Sequence, residues 1–143
     1  MADPCFALDQ EQVVDTMIAL TCRSRLRGII ITGSESMELY LELRRRGFGR
    51  VSTPLTCPVP KRQHAVGLVT GRTPVAALVQ ASPFLSTNSA VAILIGSREG
   101  ELAMTIRHKL QQMGFRIEAG VRCHRGFVLS ADRRGFAQME LAA

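Results

Sequence analysis

Arg27-Gly-Ile-Ile-Ile-Thr-Gly33 is the most informative stretch of this sequence. Its β-branched residues follow one another without polar alternation, which is typical of a strand that is buried on both faces of a parallel sheet. Two later segments have the same character, Ala65–Thr70 and Ala90–Ile95. We therefore predict that these three strands lie parallel to one another at the centre of one sheet.

Helical patterns surround these strands. The first is Leu8–Cys22, which has an apolar face and a capping-box pattern formed by Asp9 and Gln12. The other helices are predicted to follow the buried strands, beginning near Ser34 or Ser36, near Thr73 and near Leu102.

The sequence closes with two predicted strands, Arg116–Cys123 and Gly126–Asp132, which form a hairpin. Alternation of strands and helices predicts a three-layer α/β/α sandwich. Its sheet is mostly parallel with a C-terminal antiparallel hairpin, and residues 1–143 form a single domain. Gly135–Ala143 is predicted to be a short tail.

Pro54–His64 is predicted to be a loop, because its three prolines exclude a helix and disfavour a central strand. Cys57 lies in this loop near Lys61, Arg62 and His64, and nearby cations favour a reactive thiolate. An ordinary loop cysteine is the alternative interpretation.

The composition indicates a globular protein. The chain has 143 residues, of which 46% are apolar, and its mean hydropathy is +0.11. Its longest apolar runs are far shorter than the roughly 20 residues that span a bilayer. Met1–Gln10 carries two acids and no basic residue, unlike a signal peptide. We therefore expect a cytoplasmic protein without a membrane partner.

The formal net charge of the chain is strongly positive, at +6, and 16 of its 18 basic residues are arginine. Arginine suits phosphate recognition because its planar group bonds two oxygens at once. Nucleic-acid binding is therefore one alternative, and a dispersed, solubilising charge is the other. The basic residues are densest near the C-terminus, at Arg107, Lys109, Arg116, Arg122, Arg125, Arg133 and Arg134.

Signatures of catalysis and metal binding are missing from the sequence. The four cysteines form no C-x-x-C pair, and no histidine stands at a zinc-finger spacing from any of them. No Gly-x-Ser-x-Gly elbow and no pair of carboxylates suited to acid–base chemistry is present. The sequence thus predicts neither a metal site nor a catalytic residue.

A similar turn ends each of the three buried strands. Glycine is followed by a hydroxyl or basic residue at the carboxyl end of the strand, where open α/β sheets bind ligands and helix N-termini attract anions. The alternative is that these residues only form the turn and cap the helix that follows it. The candidate ligand-binding residues are Gly33, Ser34, Glu35, Gly71, Arg72, Thr73, Gly96, Ser97 and Arg98.

The second half of the chain, Ala90–Asp132, resembles the end of a class I S-adenosylmethionine-dependent methyltransferase. It has an apolar strand, a helix ending in Gln-Met-Gly-Phe115 and a hairpin finishing in Gly126-Phe-Val-Leu-Ser130. The resemblance implies a Rossmann-like fold in which Arg27–Thr32 is the first strand and Gly33 occupies the glycine turn. It also implies S-adenosylmethionine as the cofactor.

The chain departs from that family at its cofactor motifs. Ile31–Ser36 offers one glycine where the family has a Gly-x-Gly-x-Gly turn, and Val51–Pro54 lacks the acid that ends the second strand. Thr53–Ala65 is too short for the family's third strand and its helices. The favoured interpretation is a non-catalytic, methyltransferase-like domain that binds an anionic small molecule or a protein partner. An active methyltransferase with a non-standard pocket is the alternative.

Self-association is a further expectation. Apolar residues alternate with mostly polar ones in the strand Arg116–Cys123, which predicts one apolar face. A symmetric homodimer would cover that face if the chain's own helices do not. The residues predicted to share the face are Ile117, Ala119, Val121 and Cys123.

Overall fold

The computed structural model describes residues 4–21, 28–56, 63–96, 100–123 and 126–134. These ranges contain four α-helices, a short 3-10 helix at Ser82–Phe84 and six strands. In chain order the elements are α1 (Pro4–Thr21), β1 (Ile29–Gly33), α2 (Ser36–Arg45), β2 (Val51–Ser52), β3 (His64–Thr70), α3 (Pro74–Ala81), β4 (Leu85–Gly96), α4 (Gly100–Gln112), β5 (Arg116–Cys123) and β6 (Gly126–Arg133).

The strands form one sheet in the order β2-β1-β3-β4-β6-β5. The four strands β2, β1, β3 and β4 run parallel, whereas β6 is antiparallel to both β4 and β5. The predicted mixed sheet with its C-terminal antiparallel hairpin is therefore confirmed. No helix within the described ranges is long and apolar enough to cross a membrane.

Each face of the sheet has its own hydrophobic core. Ile29 and Ile31 of β1 pack on the side of α1 and α2, whereas Ile30 packs on the side of α3 and α4. All three are fully buried. This two-sided burial explains the uninterrupted apolar run in the sequence, because neither face of the strand meets water.

The helix starts differ from the sequence predictions. Helix α1 begins at Pro4 rather than Leu8, so Asp9 lies inside it and does not cap it. Glu35, and neither of the two serines, is the N-cap of α2. Thr73 is the N-cap of α3 as predicted, but its side chain makes no capping hydrogen bond.

Strand β4 is longer than predicted. It begins at Leu85 instead of Ala90, and Leu85 lies opposite His64 in the ladder with β3. Exposed polar residues at 87 and 88 interrupt the apolar pattern in this extension. In the ladder with β3, Leu85 pairs with His64 and Ala90 pairs with Val66, so the interruption at residues 87 and 88 lies in an irregular part of the strand between two paired positions.

The predicted apolar face of β5 is wrong. Ile117 lies opposite Ala131, and Ala119 lies opposite Ser130, so Glu118 is an extra residue in a β-bulge. The extra residue reverses the alternation of faces. Ile117 consequently packs on the α4 side of the sheet and Cys123 on the α1 side.

Arg46 joins α1 to α2. Its guanidinium bonds the carboxylates of Asp15 in α1 and Glu42 in α2. Hydrogen bonds from Arg45 and Arg46 lower the pKa of Glu42. The positive φ of 94° at Gly47 then ends the helix as predicted. The arginines at 45 and 46 thus have structural partners.

Three predicted features lie outside the described residues. They are most of the proline-rich loop with Cys57, the Ser97-Arg98 pair and the Gly135–Ala143 tail.

A buried histidine gives the fold a dependence on pH. His64 is 4% exposed, and its Nδ1 atom lies 3.1 Å from the carbonyl oxygen of Phe84. Burial lowers its pKa below the ordinary value of 6.5. The unfolded chain therefore binds a proton at a pH where the folded protein does not.

We expect the free energy of unfolding to be highest above pH 6.5 and to fall as the pH drops from 6.5 towards the lower folded-state pKa of His64. Urea unfolding between pH 5 and 8, roughly the plateau range of most proteins, measures this slope. His64→Phe should flatten it, and an equal slope in that variant would assign the effect to another group.

Candidate functional site

The turns after β1 and β3 pack directly against each other at the carboxyl edge of the sheet. Gly33 lies opposite Thr70 in the parallel ladder. The backbone N–H of Arg72 donates to the hydroxyl oxygen of Ser34 across a distance of 3.3 Å. The structure thus joins four predicted site residues, Gly33, Ser34, Gly71 and Arg72, into one unit, which we call the paired turns.

Glycine is required at both positions of the paired turns. Gly33 has a φ of +113°, and an added Cβ would lie 1.6 Å from the carbonyl oxygen of Thr70. Gly71 has a φ of +104°, and its Cβ would lie 2.2 Å from the hydroxyl oxygen of Ser34. The volume that a side chain would fill is therefore occupied by the neighbouring turn.

Two buried threonines end neighbouring strands here, and they differ in their hydrogen bonds. The hydroxyl of Thr32 on β1 donates to the carbonyl oxygen of Ala77 in α3 at 2.8 Å. Thr70 on β3 is 4% exposed, and its hydroxyl has no hydrogen-bond partner among the residues that the structure describes. An unmet buried hydroxyl costs roughly 1–3 kcal/mol, so its presence requires an explanation.

Thr70 lies on the α1–α2 face of the sheet, because it alternates with Leu68, which packs in that core. Helix α2 begins on the same face with Glu35 at its N-cap, and Glu35 makes no side-chain capping bond. Arg72 is exposed next to the paired turns. Thr70, Arg72 and the start of α2 at Glu35 thus lie at the same edge of the sheet.

The sequence analysis missed Thr70, although its pattern contains a signal. Both Thr32 and Thr70 are the last side chains before a glycine in runs that are otherwise apolar. A hydroxyl in that position is either paired or available, and only the structure distinguishes the two.

The third predicted turn does not join the paired turns. Gly96 lies opposite Gly126 in the ladder with β6, and an added Cβ at Gly126 would lie 2.0 Å from the carbonyl oxygen of Ile95. Close packing against the hairpin accounts for glycine at this strand end. The residues that follow, Ser97 and Arg98, are outside the described ranges.

The residues after β2 form a turn that is hydrogen-bonded within itself. The backbone N–H of Thr53 donates to the hydroxyl of Thr56 at 2.7 Å, and the N–H of Thr56 donates to the hydroxyl of Thr53 at 3.3 Å. Thr53 is buried. Between Val51 and Thr56 there is no carboxylate.

Other reactive side chains lie away from this edge or are sealed. Cys123 is buried, and His64 begins β3, at the opposite end of the strand from Thr70. Within the described ranges no group of three His, Cys, Asp or Glu side chains is arranged to hold a metal ion.

Two residues of the basic C-terminal set have partners in the fold. The guanidinium carbon of Arg133 lies 4.6 Å from the centre of the Phe115 ring. Its nitrogens donate to the carbonyl oxygens of Met113 and Ser86. Arg134 lies 3.6 Å from a carboxylate oxygen of Asp132. Arg133 in particular fixes the packing of β6 rather than a phosphate.

Solved structures share this architecture at low sequence identity. A release factor-specific protein-(glutamine-N5) methyltransferase from Alicyclobacillus acidocaldarius superimposes with a TM-score of 0.54 at 14% identity, over 94% of this chain and 99% of that one. An S-adenosylmethionine-dependent O-methyltransferase from Thermotoga maritima gives 0.56 at 13% identity, over 95% and 67%. A putative methyltransferase from Streptococcus mutans, solved with S-adenosylhomocysteine, gives 0.51 at 9% identity, over 93% and 99%.

Neither a protein-family model nor a curated protein matches the sequence. The structural likeness nevertheless covers almost the whole chain, so the class I methyltransferase-like, Rossmann-like fold that the sequence predicted is confirmed. The described sheet has six strands, in agreement with the expectation that Thr53–Ala65 is too short for the family's third strand.

The described residues do not fit S-adenosylmethionine in the manner that the resemblance implied. The single glycine of the first turn, Gly33, contacts Thr70 instead of leaving space for a ligand. The end of β2 supplies no carboxylate for a ribose, and the hydroxyl of Thr53 is already hydrogen-bonded within its turn. The chain thus shares the fold of these methyltransferases, but the residues at the ends of β1 and β2 differ from the cofactor-binding residues that the resemblance implied.

Proposed function

We propose that this chain is a methyltransferase-like domain that binds an anionic small molecule at the paired turns and transfers no methyl group. The observation that carries the proposal is the buried hydroxyl of Thr70, which lies at the edge where α/β sheets bind ligands and has no hydrogen-bond partner in the described part of the chain. A hydroxyl in that state is an unused donor, and an anion is its natural acceptor.

The surroundings support an anion over a neutral ligand. Arg72 is exposed beside the paired turns and supplies a positive charge. Helix α2, which lies on the same face of the sheet as Thr70, begins at Glu35 without a side-chain cap, so no capping side chain occupies its first N–H groups. Thr70 gives the site a buried anchor that these exposed features lack.

Calorimetric titration tests the proposal with two probes, inorganic phosphate and S-adenosylmethionine. We expect phosphate to bind with a dissociation constant in the millimolar range, about −4 kcal/mol, and S-adenosylmethionine not to bind at micromolar concentration. Absence of phosphate binding at any concentration up to tens of millimolar, roughly −2 to −3 kcal/mol, would reject the anion site.

Two substitutions at the paired turns should change phosphate affinity in opposite directions. Arg72→Ala removes the cation, and we expect about a two- to fivefold weaker binding, the usual worth of an exposed ion pair. Glu35→Gln removes the acid and should strengthen binding by a similar factor. Equal affinities in wild type and both variants would place the phosphate elsewhere on the protein.

An active S-adenosylmethionine-dependent methyltransferase is the second candidate, and the structural neighbours favour it, one of them holding S-adenosylhomocysteine. Titration with both compounds separates the two candidates. Binding of either at micromolar concentration, about −8 kcal/mol, would replace the non-catalytic proposal with this one.

Nucleic-acid binding is the remaining alternative from the sequence. It would use exposed residues such as Arg107, Arg116 and Arg122, since Arg133 is held by the fold. Gel-shift titration at low salt tests it, and the affinity of a true binder falls steeply as salt is added.

A further inference from the structure

Strand β5 is an open edge of the sheet. Among the strands that the structure describes it is paired only with β6, and β6 separates it from β4. Most of its eight residues are exposed, including Val121, an apolar side chain that is 37% exposed. An exposed edge presents backbone N–H and C=O groups that a further strand can pair with.

Natural edge strands often carry charges or bulges that prevent such pairing, and β5 carries Arg116, Arg122 and, in its β-bulge, Glu118. Glu118 and Arg122 have opposite signs and stand four residues apart with Gly120 at their midpoint. Neither has an ion-pair partner among the residues that the structure describes. These charges disfavour pairing with most other strands. Two copies of β5 in antiparallel orientation are complementary, because Glu118 of one copy can face Arg122 of the other.

We propose that β5 pairs antiparallel with β5 of a second copy of this chain, about a twofold axis at Gly120. Antiparallel pairing in this register places Glu118 of each chain opposite Arg122 of the other. It also places Val121 of each chain opposite Ala119 of the other, which covers the exposed valine. Each match occurs twice because the interface is symmetric.

The charges favour this register over the one with its axis at Ala119. An axis at Ala119 would place Arg116 opposite Arg122 of the second copy and leave Glu118 opposite glycine. Like charges directly opposite each other destabilise a strand pair. Gly120 adds no side chain at the axis, so the two backbones approach without obstruction. The proposal concerns this edge and does not depend on the ligand site.

Charge reversal and rescue test the register. Sedimentation of the wild type at micromolar concentration should show twice the 15.7 kDa mass of the chain. Glu118→Arg alone and Arg122→Glu alone should each weaken the dimer by about tenfold or more, because each creates two like-charge contacts. The double variant Glu118→Arg/Arg122→Glu, and an equimolar mixture of the two single variants, should recover the wild-type affinity.

A disulfide provides a second readout. An added Cβ at Gly120 would meet only side-chain atoms of Leu129 and Phe127 at 4.0 Å, so Gly120→Cys fits the folded chain. Opposite Cα atoms in an antiparallel pair are about 4.5–5.5 Å apart, within disulfide range. Oxidation should cross-link this variant and not the wild type.

A wild type that sediments at 15.7 kDa at all concentrations would overturn the proposal. A dimer that both single variants preserve, or that the double variant fails to restore, would place the interface elsewhere. Circular dichroism confirms that each variant is folded, as expected for exposed positions at an edge.

Discussion

Gly33→Ala is expected to reduce the free energy of unfolding by about 4 kcal/mol or more, the range of the most severe single substitutions. The new Cβ would lie 1.6 Å from the carbonyl oxygen of Thr70, a backbone atom of the neighbouring strand. The φ of +113° adds backbone strain for any side chain. Relief would require β1 and β3 to separate at their carboxyl ends.

Gly49→Ala is the matched control. Gly49 is exposed, and an added Cβ would meet nothing within 4 Å. Its stability should stay within about 0.5 kcal/mol of the wild type. Chemical denaturation of both variants measures the difference. A Gly33→Ala protein as stable as Gly49→Ala would show that the turns after β1 and β3 are not in contact.

Thr70→Val is expected to raise the free energy of unfolding by about 1–2 kcal/mol, because it replaces an unpaired buried hydroxyl by a methyl group of similar shape. The same change should weaken phosphate binding by about tenfold or more, the worth of a hydrogen bond to a charged group. A gain in stability combined with a loss of binding is the usual sign of a functional position.

Thr32→Val is the control, and its expected change in the free energy of unfolding has the opposite sign. Its hydroxyl is bonded to Ala77, so we expect a loss of about 1 kcal/mol in stability, with phosphate binding unchanged. If Thr70→Val instead destabilises the fold, its hydroxyl has a partner within the protein. The proposal of an anion site would then lose its main support.

The sequence predicted the sheet well because buried strands are determined by composition alone. The triple isoleucine of β1 needs apolar partners on both faces, and only a central strand between two helical layers provides them. The parallel strand β3 beside β1 followed from the same reasoning, whereas the antiparallel hairpin was predicted from the short connection between its two strands. The glycine turns were also placed correctly, since glycine was the only residue able to end these strands as they do.

The remaining features depend on contacts that the sequence does not display. The bulge at Glu118 arises from the register between β5 and β6, and no local propensity marks it. Serines flank Glu35 on both sides, so the sequence did not show which of the three residues is the N-cap of α2. Thr70 was missed because it occupies the same sequence context as Thr32, at the end of an apolar run and before a glycine. The two threonines differ in hydrogen bonding, since the hydroxyl of Thr32 reaches a helix carbonyl oxygen and that of Thr70 does not.

The position of α1 has a consequence for biosynthesis. The thiol of Cys123 in β5 contacts the hydroxyl of Thr16 in α1, and these two residues are 107 positions apart in the sequence. A ribosome therefore releases the apolar face of α1, with Val13, Val14 and Met17, long before the strands that cover it exist. Nascent chains in that condition attract chaperones or aggregate. Truncated chains that end before β5 should accordingly engage a holding chaperone, and the finished chain should not.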